Sequence, residues 1–137
     1  MANTVTVYTD GGSLNNPGQA ACAYVIYFDD KLQDQHGEAL GIATNNIAEY
    51  TGLIKALEKV KEYKKTHTIE RIFVYADSEL MIRQVNGIYK VKNAELKDCY
   101  MKVHALEAEI NLPIKYTHVL REKNALADSL VKKVLGR

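Results

Sequence analysis

Asp10, Glu49, Asp77 and Asp128 are the residues of this chain whose type and setting point to chemistry. Asp10 and Asp77 each follow an apolar, β-branched run, Thr4 to Thr9 and Arg71 to Ala76, and ligands of open α/β sheets collect outside the carboxyl ends of strands. Read singly, Asp10-Gly11-Gly12 is turn chemistry and Asp77-Ser78 is a helix cap. Read as a pair, they set two carboxylates at one sheet edge. Glu49 stands three residues after Asn46, close to a capping box with Asn46 as N-cap and Glu49 at N3. Asp128 borders an apolar helical stripe beside Ala127 and Leu130, a poor place for an aspartate without a partner. Acids from four separate segments, with no basic cluster nearby in sequence, repel one another when gathered, which raises their pKa values and destabilises the fold. Hard divalent cations such as Mg²⁺ or Mn²⁺ relieve that repulsion, and a pair of ions ~4 Å apart can activate water and stabilise a leaving oxygen in phosphodiester displacement.

The elements that must position these acids follow from periodicity. Thr4 to Thr9 alternates as a strand and runs into turn residues from Asp10 to Gly18. Ala20 to Phe28 is a second strand, Asp29-Asp30-Lys31 a polar hairpin connection, and His36 to Ile42 a weaker third strand interrupted by Gly37 and Gly41. From Ala48 the period changes, with Tyr50, Leu53, Ile54, Leu57 and Val60 at helical spacing. Arg71 to Ala76 is a continuous apolar run, the mark of a strand covered on both faces and therefore parallel. Ser78 caps a short helix carrying Met81, Ile82 and Val85 that ends at Gly87, and Asn93 caps another with Leu96, Tyr100, Val103, Leu106 and Ile110 on one stripe. Ile114 to Val119 is a last strand, and Asn124 to Leu135 a last helix burying Ala127, Leu130, Val131 and Val134. The order βββ-α-β-α-α-β-α gives an α/β fold. Its mixed five-stranded sheet is an antiparallel three-strand meander followed by parallel strands reached through right-handed crossovers, flanked by helices.

A length of 137 residues predicts a single domain over residues 1–137. Composition, 47% hydrophobic and 26% charged with 2 Pro, excludes disordered and fibrous classes. With 18 Lys+Arg against 17 Asp+Glu the chain has no global positive field, so a polyanionic partner must be held locally. No run approaches the ~18 apolar residues of a membrane helix, and Met1 to Thr6 has neither a basic nor an apolar leader segment, so a cytoplasmic protein is expected. Cys22 and Cys99 lie in unrelated segments, without the spacing of a disulfide framework or zinc site.

The sequence resembles the type 1 ribonucleases H, which cleave the RNA strand of RNA/DNA hybrids. The likeness spans nearly the whole chain. It rests on Tyr8-Thr9-Asp10-Gly11-Gly12-Ser13 with Asn16-Pro17-Gly18, on Thr44-Asn45-Asn46-Ile47-Ala48-Glu49-Tyr50, on Ala76-Asp77-Ser78, and on His118 followed by Arg121-Glu122-Lys123-Asn124-Ala125-Leu126-Ala127-Asp128. The resemblance implies the ribonuclease H fold and a catalytic, metal-binding quartet of Asp10, Glu49, Asp77 and Asp128 holding two Mg²⁺ or Mn²⁺ ions. Asp10 would bridge both ions, Asp128 would help hold the one that activates water, and Glu49 with Asp77 would hold the other. His118 would relay a proton or help product leave, since its near-neutral pKa suits either role. Asn16, Asn45 and Asn46 would read the hybrid's minor groove, and Thr44 and Asn93 would take a phosphate of the DNA strand; as loop and cap residues all have ordinary local uses too.

The implied activity is endonucleolytic hydrolysis of the hybrid's RNA strand to 5′-phosphate and 3′-hydroxyl ends, by a monomer with no obligate protein partner. The chain departs from many bacterial relatives, among other places at Asn15 where Gly is frequent, Glu79 where Gln is common and Leu120 where Pro is. Gly87 to Asn93 is short, with 2 lysines, where a basic protrusion is frequent, and no separate hybrid-binding domain is present, which makes this a minimal catalytic form. A non-catalytic nucleic-acid-binding domain of the same fold is disfavoured, since a binding module gains nothing from four acids facing a polyanion; a superfamily enzyme acting on double-stranded RNA stays open.

Overall fold

The computed structural model describes residues 3–137. Its elements are β1 (Thr4–Ser13), β2 (Gly18–Phe28), β3 (Lys31–Ala43), α1 (Asn45–Lys64), β4 (Arg71–Ala76), α2 (Glu79–Val85), α3 (Ala94–Ile110), β5 (Ile114–His118), a 3₁₀ turn at Arg121–Lys123, and α4 (Ala125–Leu135). The order along the sheet is β3-β2-β1-β4-β5. β1 pairs antiparallel with β2 and parallel with β4, and β4 pairs parallel with β5. The topology is the one expected from the sequence, with β1 in the middle.

Two apolar clusters divide between the faces. The large one joins Val5, Val7, Ile72 and Val74 of the sheet to Tyr50, Leu53, Leu57 and Val60 of α1 and to Met81, Val103 and Ile110 of α2 and α3. The other face carries only α4, through Ala21, Ala23 and Val131. That imbalance corrects two expectations. β4 is covered fully on one face alone, leaving Phe73 and Tyr75 half-buried, and Val134 is 36% exposed rather than buried, because it lies over Gly37 of the edge strand β3, which offers no side chain to cover it.

The segment Asp10-Gly11-Gly12 is not a turn. β1 continues through it to Ser13, with Asp10 opposite Ala23 and Gly12 opposite Ala21, and the turn begins only after Ser13. The reason is packing from α1. A Cβ on Gly11 would stand 2.3 Å from the carbonyl carbon of Ala48, and one on Gly52 would stand 2.8 Å from the Asp10 carbonyl oxygen. Two side-chain-free positions therefore let helix backbone lie directly on strand backbone. The third strand is also longer than expected. Gly41, at φ +75°, sits at a bulge in the β2–β3 ladder that lets pairing resume on either side.

Helix α1 begins earlier than its hydrophobic period. Thr44, not Asn46, is the N-cap: its Oγ1 accepts from Ile47 N at 3.2 Å. Asn45 and Asn46 thus lie in the first helical turn with their side chains released from capping. Ser78 and Asn93 cap α2 and α3 as expected. Among the described residues no helix is long and apolar enough to cross a membrane.

Gly11→Ala should be far more destabilising than Gly12→Ala, whose added methyl meets nothing nearer than 3.9 Å. A loss on the order of 3 kcal/mol or more is expected for the first, against about 1 kcal/mol or less for the second. Urea denaturation of the two variants measures the difference.

Candidate active site

The close approach of α1 to β1 delivers Glu49 to Asp10. Glu49 Oε1 accepts from Gly11 N at 2.9 Å, a strand-edge amide that a longer side chain at position 11 would screen. Asp77 follows β4 in the next parallel register position, since Thr9 pairs with Ala76. The buried Tyr50 hydroxyl donates to Gln84 Oε1 at 2.7 Å and ties α1 to α2 behind Asp77. Asp10, Glu49 and Asp77 each present a carboxylate oxygen within 4.8 Å of the others.

Asp128 reaches the same cleft from the opposite face. Asn124, 1% exposed, donates from Nδ2 to the Thr9 carbonyl at 2.8 Å and pins the start of α4 beside the strand residue that precedes Asp10. One turn on, Asp128 lines a cleft of about 310 Å³ with Asp10, Glu49, Asp77, Asn45 and Asn46. Its partner is Lys132, 2.9 Å away at i+4.

The sequence reading missed the chain's own counter-charges. Arg121, Lys132 and Arg137 line the cleft; Arg121 Nε lies 3.7 Å from Asp77 Oδ2, and Arg137 donates to the Ser13 carbonyl at 3.2 Å. The one sequence signal was the i,i+4 spacing of Asp128 and Lys132. Arg121 and Arg137 are brought in by the fold. His118, at the end of β5, is exposed to solvent and outside the cleft lining; exposed Asn16 and Asn93 and half-buried Thr44 also lie outside it. Asn16 is nevertheless connected to it. Its Oδ1 accepts from Asn45 N at 3.0 Å, while Asn45 Oδ1 accepts from Ser13 N at 2.9 Å. Both carbonyls are engaged, so these side chains face solvent through their N–H groups. Asn46 lines the cleft, and among the described residues its side chain makes no hydrogen bond.

The electrostatics are those of an under-neutralised acid cluster. Burial, and next the charge of Asp77, push the Asp10 carboxyl up to about 7. Glu49 is raised well above the ordinary carboxylate range by burial first and the charge of Asp10 second. Glu49 Oε2 and Asp77 Oδ2 are buried without a hydrogen-bond partner, the state of carboxylate oxygens that await a hard cation. The donor set is all oxygen, clustered and anionic, and it fits Mg²⁺ or Mn²⁺.

The sequence profile of the RNase H family matches residues 2–135. The chain belongs to the ribonuclease H family. It is 36% identical over 128 residues to the bifunctional protein Rv2228c of Mycobacterium tuberculosis, covering 92% of this chain and 34% of that protein. It is 33% identical over 132 residues to ribonuclease HI of Halobacterium salinarum, covering 96% and 64%. The chain thus spans a third to just under two thirds of the length of these relatives. Among solved structures, LC11-RNase H1 in complex with an RNA/DNA hybrid superposes with a TM-score of 0.91 at 36% identity, covering 96% of each chain. The RNase H fold expected from the motifs is the fold observed.

The raised Asp10 carboxyl has a consequence for the cation-free protein. The native state holds a proton that the unfolded chain releases near pH 4, so stability declines as pH rises from about 4 to about 7. Asp10→Asn removes that charge. It should raise the melting temperature at pH 8 in chelator by about 5 °C, and the gain should shrink towards zero at pH 4; calorimetry at the two pH values reads it.

Proposed function

We propose that this chain is a metal-dependent endoribonuclease that hydrolyses the RNA strand of RNA/DNA hybrids, leaving 5′-phosphate and 3′-hydroxyl ends. The observation that carries it is the convergence of Asp10, Glu49 and Asp77 within 4.8 Å, with Asp128 in the same cleft, on the fold of a family member seen with an RNA/DNA hybrid. Two Mg²⁺ or Mn²⁺ ions held by these carboxylates would supply charge neutralisation at the scissile phosphate and a more acidic attacking water. Asp10, near the end of the central strand β1, would be shared between the ions; Glu49 and Asp77 would help hold one and Asp128 the other.

The remaining work belongs to the chain's own side chains. Arg121, 75% exposed beside Asp77, and Lys132 beside Asp128 put positive charge at the rim, where non-bridging phosphate oxygens enter an otherwise repulsive cleft. Lys132 pairs with Oδ2 of Asp128, so Oδ1 would remain for a cation. His118, exposed at the end of β5, is free to swing to the leaving side, carrying a proton or easing product out.

Recognition of RNA follows from groove chemistry. Hybrid and DNA duplexes carry the same phosphates, so phosphate attraction cannot separate them; 2′-hydroxyls can. Asn16 and Asn45 present N–H donors, their carbonyls being used internally, and Asn46 has both amide groups available beside the carboxylates. Thr44 and Asn93 accept as helix caps, and the Thr44 hydroxyl proton and the Asn93 amide remain to donate to a DNA-strand phosphate.

Three measurements test the reading. Asp10→Asn should lose at least about 10³-fold in hybrid cleavage with Mg²⁺ while staying folded; wild-type rates in that variant would refute the metal assignment. Asn45→Ala should slow cleavage several-fold, one hydrogen bond being worth about 0.5–1.5 kcal/mol. Placing 2′-deoxy sugars beside the scissile phosphate should slow the wild type comparably, as followed by gel assay.

A further inference from the structure

The sheet face opposite α1 holds a second cleft, of about 400 Å³, on the far side of α4 from the carboxylates. Its floor is Thr6, Tyr8, Val25 and Tyr27. Tyr8 stacks on Tyr75 with centroids 5.2 Å apart, and Tyr27 meets its edge at 6.0 Å. These rings are half-buried because α4 is too short to cover the sheet, and no role in the proposed hydrolysis engages them. Among the described residues of the lining, Asp29, Asp30 and Glu122 stand on the rim against the single cation Lys123. That net charge of −2 repels nucleic acid and favours a cation, and tyrosine faces favour one too.

Two further observations narrow the ligand. Asn124 lines this cleft at 1% exposure, and its Oδ1 is buried without a partner, an acceptor in want of a donor. The wall also contains residues 125–127, the first turn of α4, whose amides no side chain caps; these are donors in want of an acceptor. A polyamine or metal ion answers only the first need. A peptide answers both, with backbone carbonyls for the helix amides and a basic side chain for the carboxylates. Arginine suits better than lysine, because a planar guanidinium stacks on tyrosine while its fork binds carboxylate and amide oxygens together.

We propose that the cleft between α4 and the tyrosine-lined sheet face docks an arginine-bearing peptide segment of a partner protein. The guanidinium lies over Tyr8 and Tyr27, within reach of Asp29 and Asp30, and the peptide backbone runs along the start of α4. This surface is distinct from the carboxylate cleft, so a partner seated there leaves access to the hybrid open.

The test is a ¹⁵N–¹H NMR titration of the whole chain in saturating Mg²⁺, so that the carboxylate cleft does not compete for cations. The probe is an acetylated, amidated hexapeptide alternating leucine and arginine. Saturable shifts are expected at the amides of Thr6, Val25, Leu126 and Ala127, with Gly11 and Ser78 unmoved. The matching leucine–glutamate peptide should give none. Asp30→Lys combined with Glu122→Lys, both exposed positions, should weaken arginine-peptide binding at least tenfold without lowering the melting temperature. Failure of the cleft amides to shift, or equal binding by the charge-reversed variant, overturns the proposal. Spermidine shifting the same amides at the same concentration overturns the peptide assignment. Hybrid cleavage enters none of these readouts, so their failure leaves the proposed nuclease activity standing.

Discussion

The absence of side chains at Gly11 and Gly52 is the constraint on which the site depends. A helix normally stands about 10 Å from a sheet, held off by the side chains between them. Here α1 touches β1 backbone to backbone at the level of Asp10, and a glutamate one turn into the helix can reach a strand amide and a strand aspartate together. A larger residue at either glycine would separate the two carboxylates even if the fold survived. Catalytic geometry and core packing therefore share one contact.

That contact has an electrostatic cost. It buries acids that the chain only partly neutralises, and Asp10 and Glu49 respond by holding protons at pH values where free carboxylates have none. The cations supplied by the fold sit on the outer members, Arg121 at Asp77 and Lys132 at Asp128, and leave the inner pair without a side-chain counter-ion. The repulsion that weakens the cation-free protein is the repulsion that a divalent cation held by these oxygens would relieve.

Much of this was legible before any coordinates. Periodicity, apolar runs and turn residues located the five strands and four α-helices, and the caps at Ser78 and Asn93 follow from residue type. What misled was local chemistry overridden by tertiary contact. Asp10-Gly11-Gly12 has the composition of a turn, yet its glycines serve an approaching helix rather than a chain reversal. Asn46 has the spacing of a cap, yet Thr44 takes that place because the chain leaves β3 one step earlier in extended form. Val134 fits the apolar stripe of α4, but it lies at the sheet's edge over Gly37, where no side chain covers it. Arg121 and Arg137 at the carboxylates were beyond reach of the sequence, since nothing in one dimension says which distant cations a cleft will gather.

Asn124 reaches back across 115 residues to the Thr9 carbonyl, and this gives the site an order of assembly. While the chain is still emerging from a ribosome, β1, α1 and β4 can already meet and bring Asp10, Glu49 and Asp77 together. The fourth acid and two of the cleft's cations, Lys132 and Arg137, arrive only when α4 docks. A nascent chain thus carries its acid cluster at its most repulsive and its least competent. Completion and relief come in the same final step, so partial products of synthesis are electrostatically strained and lack Asp128, while the finished chain acquires both its fourth acid and its countercharge at once.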